Sequence, residues 1–271
     1  ELVSIRFGIN DQIYTVEGLQ ADTHAVHAGK YEVHVVGNPT VYDASGNDVS
    51  EQFVVTARSG LLEIQPREVV LQSANATKIY DGKPLFNHEV EIGRDGFVRS
   101  DGVSIQMSGI RTTPGTAENS FDYRLNEGTL ADDYQIQTVY GLLSVLNRPE
   151  DARYEVTLIA ESAEVLYDGQ SHTIEEIALI NGSEPNKTEE GYLIEIDGVS
   201  YLLRGVQAYA EGKDAGIYSC VISGDPYITD EEGNDVTSQF IIAVQPGQLE
   251  IQQRKIVMTS GSASHMYNGK L

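Results

Sequence analysis

The chain of 271 residues carries 41 acidic against 18 basic side chains, a formal net charge of -23, with one Cys and no Trp. That length suits roughly two or three ordinary domains; a lone thiol excludes an intramolecular disulfide and a cysteine-based zinc site, and an acidic field repels nucleic acid. No apolar run of about 18 residues is present to span a membrane, and no basic region followed by an apolar stretch opens the chain, so a secretion signal is expected to be absent or removed.

In chain order, Tyr31-Glu32-Val33-His34-Val35 alternates apolar and polar and predicts a strand. Gly46-Asn47-Asp48 predicts a turn, Phe53-Val54-Val55 a short β-branched strand, and Leu62-Glu63-Ile64-Gln65 another. Tyr80-Asp81-Gly82 predicts a tight turn, because Asp-Gly tolerates φ > 0 and the Tyr before it ends an apolar strand. The Tyr ring is expected to cover the edge of a core with its hydroxyl wet, a structural role preferred to ligand contact. Turn residues recur at Asp95-Gly96, Asp101-Gly102 and Asn126-Glu127-Gly128. Val165-Leu166-Tyr167 then reads as a strand ending in Tyr167-Asp168-Gly169. Gly233-Asn234-Asp235, Phe240-Ile241-Ile242, Leu249-Glu250-Ile251-Gln252 and Tyr267-Asn268-Gly269 repeat the earlier phrases. No window carries a capped helical stripe, so the expected class is all-β.

The repetition is systematic. An offset of 187 aligns residues 18–73 with 205–260 without a gap and continues from Tyr80 to Tyr267. A middle copy fits between them: Asp101-Gly102-Val103-Ser104 recurs as Asp197-Gly198-Val199-Ser200, and Tyr134–Arg148 aligns with Phe240–Arg254. The expected organisation is therefore a first repeat at 1–66 lacking its opening strands, complete repeats at 67–151 and 152–253, and the opening strand of a fourth at 254–271. The array is expected to continue in a longer parent. Charge is uneven, with 19 acidic and 6 basic residues in 152–260. Short strands and dense turns over domain-sized periods predict tandem immunoglobulin-like antiparallel β-sandwich repeats; small barrels or β-grasp-like units are the alternative.

The phrase Arg67-x-Val-x-Leu-x-Ser…Lys78-x-Tyr-Asp-Gly-Lys-Pro-Leu85 resembles the opening of the YDG/MBG-type repeats of large Firmicutes cell-surface proteins. Pro114–Ile136 looks like the second half of one subtype, and Gly46–Ile64 with its copy at 233–251 like another. Tyr267-Asn268-Gly269 departs from the pattern by replacing the Asp. The resemblance implies an extracellular, bacterial surface-associated or secreted protein with adhesin-like stalk modules, and it supplies no catalytic residues. Cys220 aligns with Val33 and is expected to fill a strand core.

Calcium is the foremost candidate for hidden chemistry. Asp43 and Asp48 recur as Asp230 and Asp235, with Glu232 added in the second copy, offering clustered hard oxygen ligands. A simple turn accounts for the same residues and is preferred. His24, His27 and His34 align with Glu211, Asp214 and Val221, so zinc there would be private to one repeat. Lys78 aligns with Val165 and His265, which argues against a shared Lys–Asn cross-link. No catalytic constellation is expected, and no cofactor.

The leading functional expectation is a non-catalytic stalk or spacer whose partners are its neighbouring repeats. Direct adhesion to a host protein or glycan is the first rival, centred on the acidic repeat and its insertion Ile180–Glu190. Self-assembly by strand addition is the second, and is less favoured than a boundary that happens to cut a repeat.

Overall fold

A computed structural model describes residues 2–270, of which strand makes up 54% of the chain and no described residue is in an α-helix. No helix among the described residues is long and apolar enough to cross a membrane.

In the first repeat β1 (Leu2–Ile9), β2 (Gln12–Asp22), β3 (Gly29–Tyr42) and β4 (Gly60–Ile64) form one antiparallel sheet in sequence order. Asn10 and Asp11, both at positive φ, make the two-residue turn that joins β1 to β2. The second repeat contributes β5 (Arg67–Ser73), β6 (Ala76–Ile79), β7 (Val90–Arg94), β8 (Val103–Met107), β9 (Gly115–Asn119), β10 (Phe121–Leu125), β11 (Tyr134–Val139) and β12 (Gly141–Leu146). They pair as β11-β5-β7, β10-β8 and β6-β12-β9.

The third repeat opens with β13 (Tyr154–Ala160), β14 (Ala163–Leu166), β15 (His172–Ile174) and β16 (Ile177–Ile180). Next come β17 (Asn186–Lys187), β18 (Tyr192–Ile196), β19 (Val199–Arg204) and β20 (Gln207–Gly212), then β21 (Gly216–Ser223), β22 (Tyr227–Thr229), β23 (Phe240–Gln245) and β24 (Gly247–Gln252). Its sheets are β16-β13-β23, β14-β24-β21-β20-β15 and β17-β18-β19-β22.

The chain divides into two compact units. One comprises the chain up to Ala76 with Phe86–Ile110 and Ala117–Leu143, and the other Thr77–Leu85, Arg111–Thr116 and the chain from Ser144 onward. The first unit holds two small cores: Val16, Leu19 and Val41 in the first repeat, and Val69, Leu71, Phe121 and Tyr134 in the second. The second unit is built on one large core that draws Leu158, Tyr201, Leu203, Cys220, Phe240, Leu249 and Ile251 from all three sheets of the third repeat. Alternation places these side chains inward because successive strand residues face opposite sides of a sheet.

The ladders are not all antiparallel. β5 runs parallel to β11, with Arg67 beside Tyr134 and Val69 beside Ile136. In the third repeat β13 runs parallel to β23, with Tyr154 beside Phe240, and β14 runs parallel to β24, with Ala163 beside Leu249. Residues 67–151 and 152–253 thus each join their first strand to a late one.

Phe53-Val54-Val55, read from sequence as a strand, lies in none. Its equivalents β11 and β23 are strands because β5 and β13 lie beside them, and no described strand pairs with residues 53–58. Residues 253–270, whose sequence repeats that of β5 and β6, are likewise outside any ladder. β propensity without a partner does not make a strand.

Candidate functional site

The Tyr-Asp/Asn-Gly motif forms the same turn three times. The Asp81 carboxylate accepts a hydrogen bond from the Lys83 N–H at 2.9 Å, that of Asp168 from Gln170 N–H at 2.9 Å, and the Asn268 side-chain oxygen from Lys270 N–H at 3.0 Å. The glycines sit at φ 74°, 81° and 74° for Gly82, Gly169 and Gly269, a region open chiefly to glycine. The backbone before the turn is also fixed alike. Tyr80 N–H donates to Leu146 O and Tyr167 N–H to Gln252 O, both at 2.9 Å. The carbonyl of Tyr80 accepts from Arg148 and that of Tyr167 from Arg254, also at 2.9 Å.

What differs is the fate of the ring. Tyr80 is fully buried, at 0% exposure, in the core that the third repeat builds, whereas Tyr167 is 38% and Tyr267 97% exposed. The expectation of a wet hydroxyl is therefore corrected at Tyr80: its oxygen is buried close to that of Tyr201, and neither has a well-aligned partner. Burial, with the Tyr201 hydroxyl as a second cause, pushes the ionisation of Tyr80 far above the ordinary phenol range, and burial raises Tyr201 too. An added Cβ at Gly82 would collide with the Tyr201 hydroxyl, so the motif's glycine also makes room for the second tyrosine.

Arg148 ties this region together. Its guanidinium reaches Tyr80 O, donates to Ala152 O at 2.6 Å, and lies 3.9 Å over the Tyr154 ring. Its backbone N–H donates to the buried Gln239 side chain, which in turn donates to Asn147. Sequence reasoning missed Arg148 and Gln239 as junction residues. The signal was present in the register of Arg67, Arg148 and Arg254, which recur at equivalent places.

The calcium candidates lie in two matching turns. Asp43 accepts from the backbone of Ser45 and Asn47 and from the Asn47 side chain, and Asp230 from the backbone and side chain of Asn234. Asp48 accepts from Ser50 N–H and hydroxyl, and Asp235 from Thr237 N–H and hydroxyl. Glu232 is exposed on the turn. These bonds, led by the side chains of Asn47, Ser50 and Thr237, hold the carboxyls of Asp43, Asp48 and Asp235 below their ordinary range. A depressed carboxyl stabilises the fold above its unfolded pKa of about 4 and loses that contribution as pH falls through its folded value. Among the described residues no three His, Cys, Asp or Glu side chains converge as a metal site requires. What the carboxylates do is organise their own loops. Asp230→Ala, at a residue only 7% exposed, is expected to cost about 1–3 kcal/mol in urea unfolding, and Asp43→Ala, at a more open turn, less.

Each turn borders a hollow, of about 510 Å³ beside Asp43 and about 420 Å³ beside Asp230. The walls come from equivalent positions but carry opposite chemistry: Arg6 and Glu17 in one, Leu193 and Arg204 in the other. Topology makes the hollow; the two linings share the turn's Asp and Gly, but the charged and apolar side chains around them differ.

Of the histidines, His27 donates to Asp133 at 2.6 Å, whose other oxygen accepts from Ala28 N–H at 2.6 Å. The Ala28 bond first, then His27, lowers the Asp133 carboxyl. Asp133 and Gln239 are equivalent positions, so each precedes a core aromatic and holds a neighbouring strand end. Cys220 is fully buried and burial raises its thiol, which leaves it inert. In the insertion, Asn181 and Gly182 turn at positive φ and the Asn181 side chain accepts from Thr157 N–H. Beyond that turn Lys187 pairs with Glu176 and Arg204 with Glu190.

Compared with protein-family models, curated proteins and solved structures, the chain matches none.

Proposed function

We propose that this chain is a non-catalytic spacer: a run of immunoglobulin-like β-sandwich repeats in the stalk of an extracellular, adhesin-like bacterial surface protein. The observation that carries the reading is the parallel pairing of first and late strands in both complete repeats. Tension applied along the chain draws β13 toward its N-terminus and β23 and β24 toward their C-termini. Because these strands run parallel, the pull acts along the ladder, and its hydrogen bonds are strained together rather than one after another. The β5–β11 pair has the same sense.

Junction chemistry supports the same reading. A stalk holds a distal partner away from a surface only if its joints resist bending. Tyr80, presented by the second repeat and buried in the core of the third, with Arg148 and Gln239 beside it, is a joint of that kind. The sequence resemblance fits an exported protein. In small-angle scattering the monomer is expected to give a radius of gyration well above the roughly 18 Å of a single compact domain of this length. A value near 18 Å would overturn the spacer reading.

A further inference from the structure

The outer face of the five-stranded sheet β14-β24-β21-β20-β15 breaks a pattern that the first repeat keeps. Leu249, Ile251, Cys220 and Ala210 point into the core, so alternation turns Glu164, Glu250, Ile217, Val221, Tyr209 and Glu211 outward. The offset of 187 gives these positions counterparts in the first repeat. There Lys30 lies opposite Glu63, with Nζ 3.5 Å from the carboxylate, and Asp22 lies opposite His34. Cross-strand pairs of opposite charge suit a solvated face. In the third repeat the same two pairs are Ile217 with Glu250 and Tyr209 with Val221. Apolar residues thus stand where Lys30 and His34 stood, and Ile217 is 66%, Val221 51% and Tyr209 41% exposed.

Charge widens the departure. Glu164 on β14 lies beside Glu250 on β24, and like charges at opposed positions are unfavourable. The cation that answers Glu63 in the first repeat has no counterpart, because none of the five strands contains Lys or Arg. At the other end of the face Glu211 accepts from the hydroxyls of Ser171 and Tyr209, both at 2.8 Å, which pins the Tyr209 ring. The fold demands neither feature, since the first repeat builds the same positions without them. A neighbouring repeat does not claim this face either. In the second repeat, which has chain on both sides, the counterparts of Glu164 and Ile217 are Thr77 and Thr116, both exposed, and that of Glu250 is Ser144, half-buried as Glu250 is.

We propose that this face is a docking site for a basic segment of another protein, one that carries Lys or Arg beside apolar side chains. Its cations give Glu250 and Glu164 the partner that Lys30 gives Glu63, and its apolar side chains cover Ile217, Val221 and the Tyr209 ring. Complementarity assigns the occupant: uncompensated carboxylates call for cations, and the exposed apolar residues between them call for more than charge. Ile217 and Val221 lie on one strand about 13 Å apart at the usual rise, a span that roughly five extended residues cover.

The test is titration of the full chain into two labelled synthetic peptides of equal charge, (Lys-Leu)4 and (Lys-Ser)4, followed by fluorescence anisotropy. The Leu peptide is expected to bind tighter by about tenfold or more, and both to weaken as salt is raised. Ile217→Thr with Val221→Thr keeps β-branched side chains and net charge on an exposed face, so the melting curve stays unchanged. It is expected to remove the preference for the Leu peptide and to leave (Lys-Ser)4 binding as it was. Ile217→Lys puts a cation opposite Glu250 as Lys30 lies opposite Glu63, and is expected to weaken both peptides with a melting temperature equal to or above that of the wild type. Equal binding of the two peptides to the wild type overturns the proposal, as does a preference that the double variant retains, or no binding of either peptide. The substitutions lie on an outer sheet face and leave the radius of gyration unchanged, so a failure here leaves the spacer reading to its own measurement.

Discussion

Tyr80→Ala is expected to destabilise the second unit by about 3–5 kcal/mol, the cost of emptying a fully buried aromatic site, and so to lower its melting temperature by roughly 10 °C. The size of the effect follows from position. Tyr80 belongs by sequence to the second repeat, but its ring is part of the core that the third repeat builds around Tyr201 and Phe240. Tyr167→Ala removes the same residue of the same motif from a site 38% exposed and is expected to cost about 1 kcal/mol or less. Tyr80→Phe separates packing from hydrogen bonding. The hydroxyl is buried without a well-aligned partner, so deleting it is expected to be neutral or mildly stabilising. The same pair predicts an alkaline limit. A tyrosine whose folded ionisation is raised contributes stability that is whole below the unfolded pKa of about 10 and is lost as pH rises above it, by about 1.4 kcal/mol per pH unit for each such group. Urea unfolding at pH 9 and pH 11 is expected to show a loss in the wild type that Tyr80→Phe reduces. A wild-type-like melting curve for Tyr80→Ala would show that the ring does not join the two repeats.

The local chemistry of this fold was legible in the sequence, and its long-range pairing was not. Asp81, Asp168 and Asn268 organise the turns their residue types foretold, because an Asx side chain two residues before an N–H needs no tertiary information to bond it. The alternation at Tyr31–Val35 and Leu62–Gln65 likewise falls in β3 and β4. Phe53-Val54-Val55 failed as a strand for the opposite reason: its ladder requires a partner from an opening strand, and composition cannot say whether one lies alongside. Parallel pairing was invisible for the same cause, since a period of two fixes which face a residue takes but not the neighbour or its direction. The repeats also hid an asymmetry. Tyr80 and Tyr167 are the same letter in the same phrase, and only the presence of a core beside one of them separates a buried joint from a half-exposed ring. Among the candidate metal residues, Asp43 and Asp230 aligned correctly, yet their role came from Asn47 and Asn234 four residues on, which a search for acidic clusters passes over.

Gly247→Ala is expected to be a strongly damaging small substitution. Gly60, Gly141 and Gly247 stand at one repeat position, and none of the three has the positive φ that would call for glycine on backbone grounds. The demand is steric. In the third repeat the chain bends between β13 and β14, and the Glu161 carbonyl passes so close to Gly247 that a methyl cannot be accommodated unless backbone moves. The conflict sits where the two parallel ladders meet, so the displacement spreads to both. Overpacking of this kind costs typically 1–3 kcal/mol and more where the obstacle is backbone, which puts Gly247→Ala at the upper end of that range or beyond. Gly141→Ala meets Ser73 and Ala74 at 2.5 and 2.6 Å and is expected to follow it closely. Gly60→Ala meets only Val33 Cβ at 3.7 Å, an ordinary contact, and is expected to change stability by less than about 0.5 kcal/mol. Thermal or urea unfolding of the three variants measures whether the repeat position behaves as one residue or as three. Equal losses at all three would mean that the position is intolerant of a methyl whatever backbone lies beside it. A silent Gly60→Ala beside two damaging partners would show that the close backbone at Gly141 and Gly247, and not the shared sequence position, sets the demand.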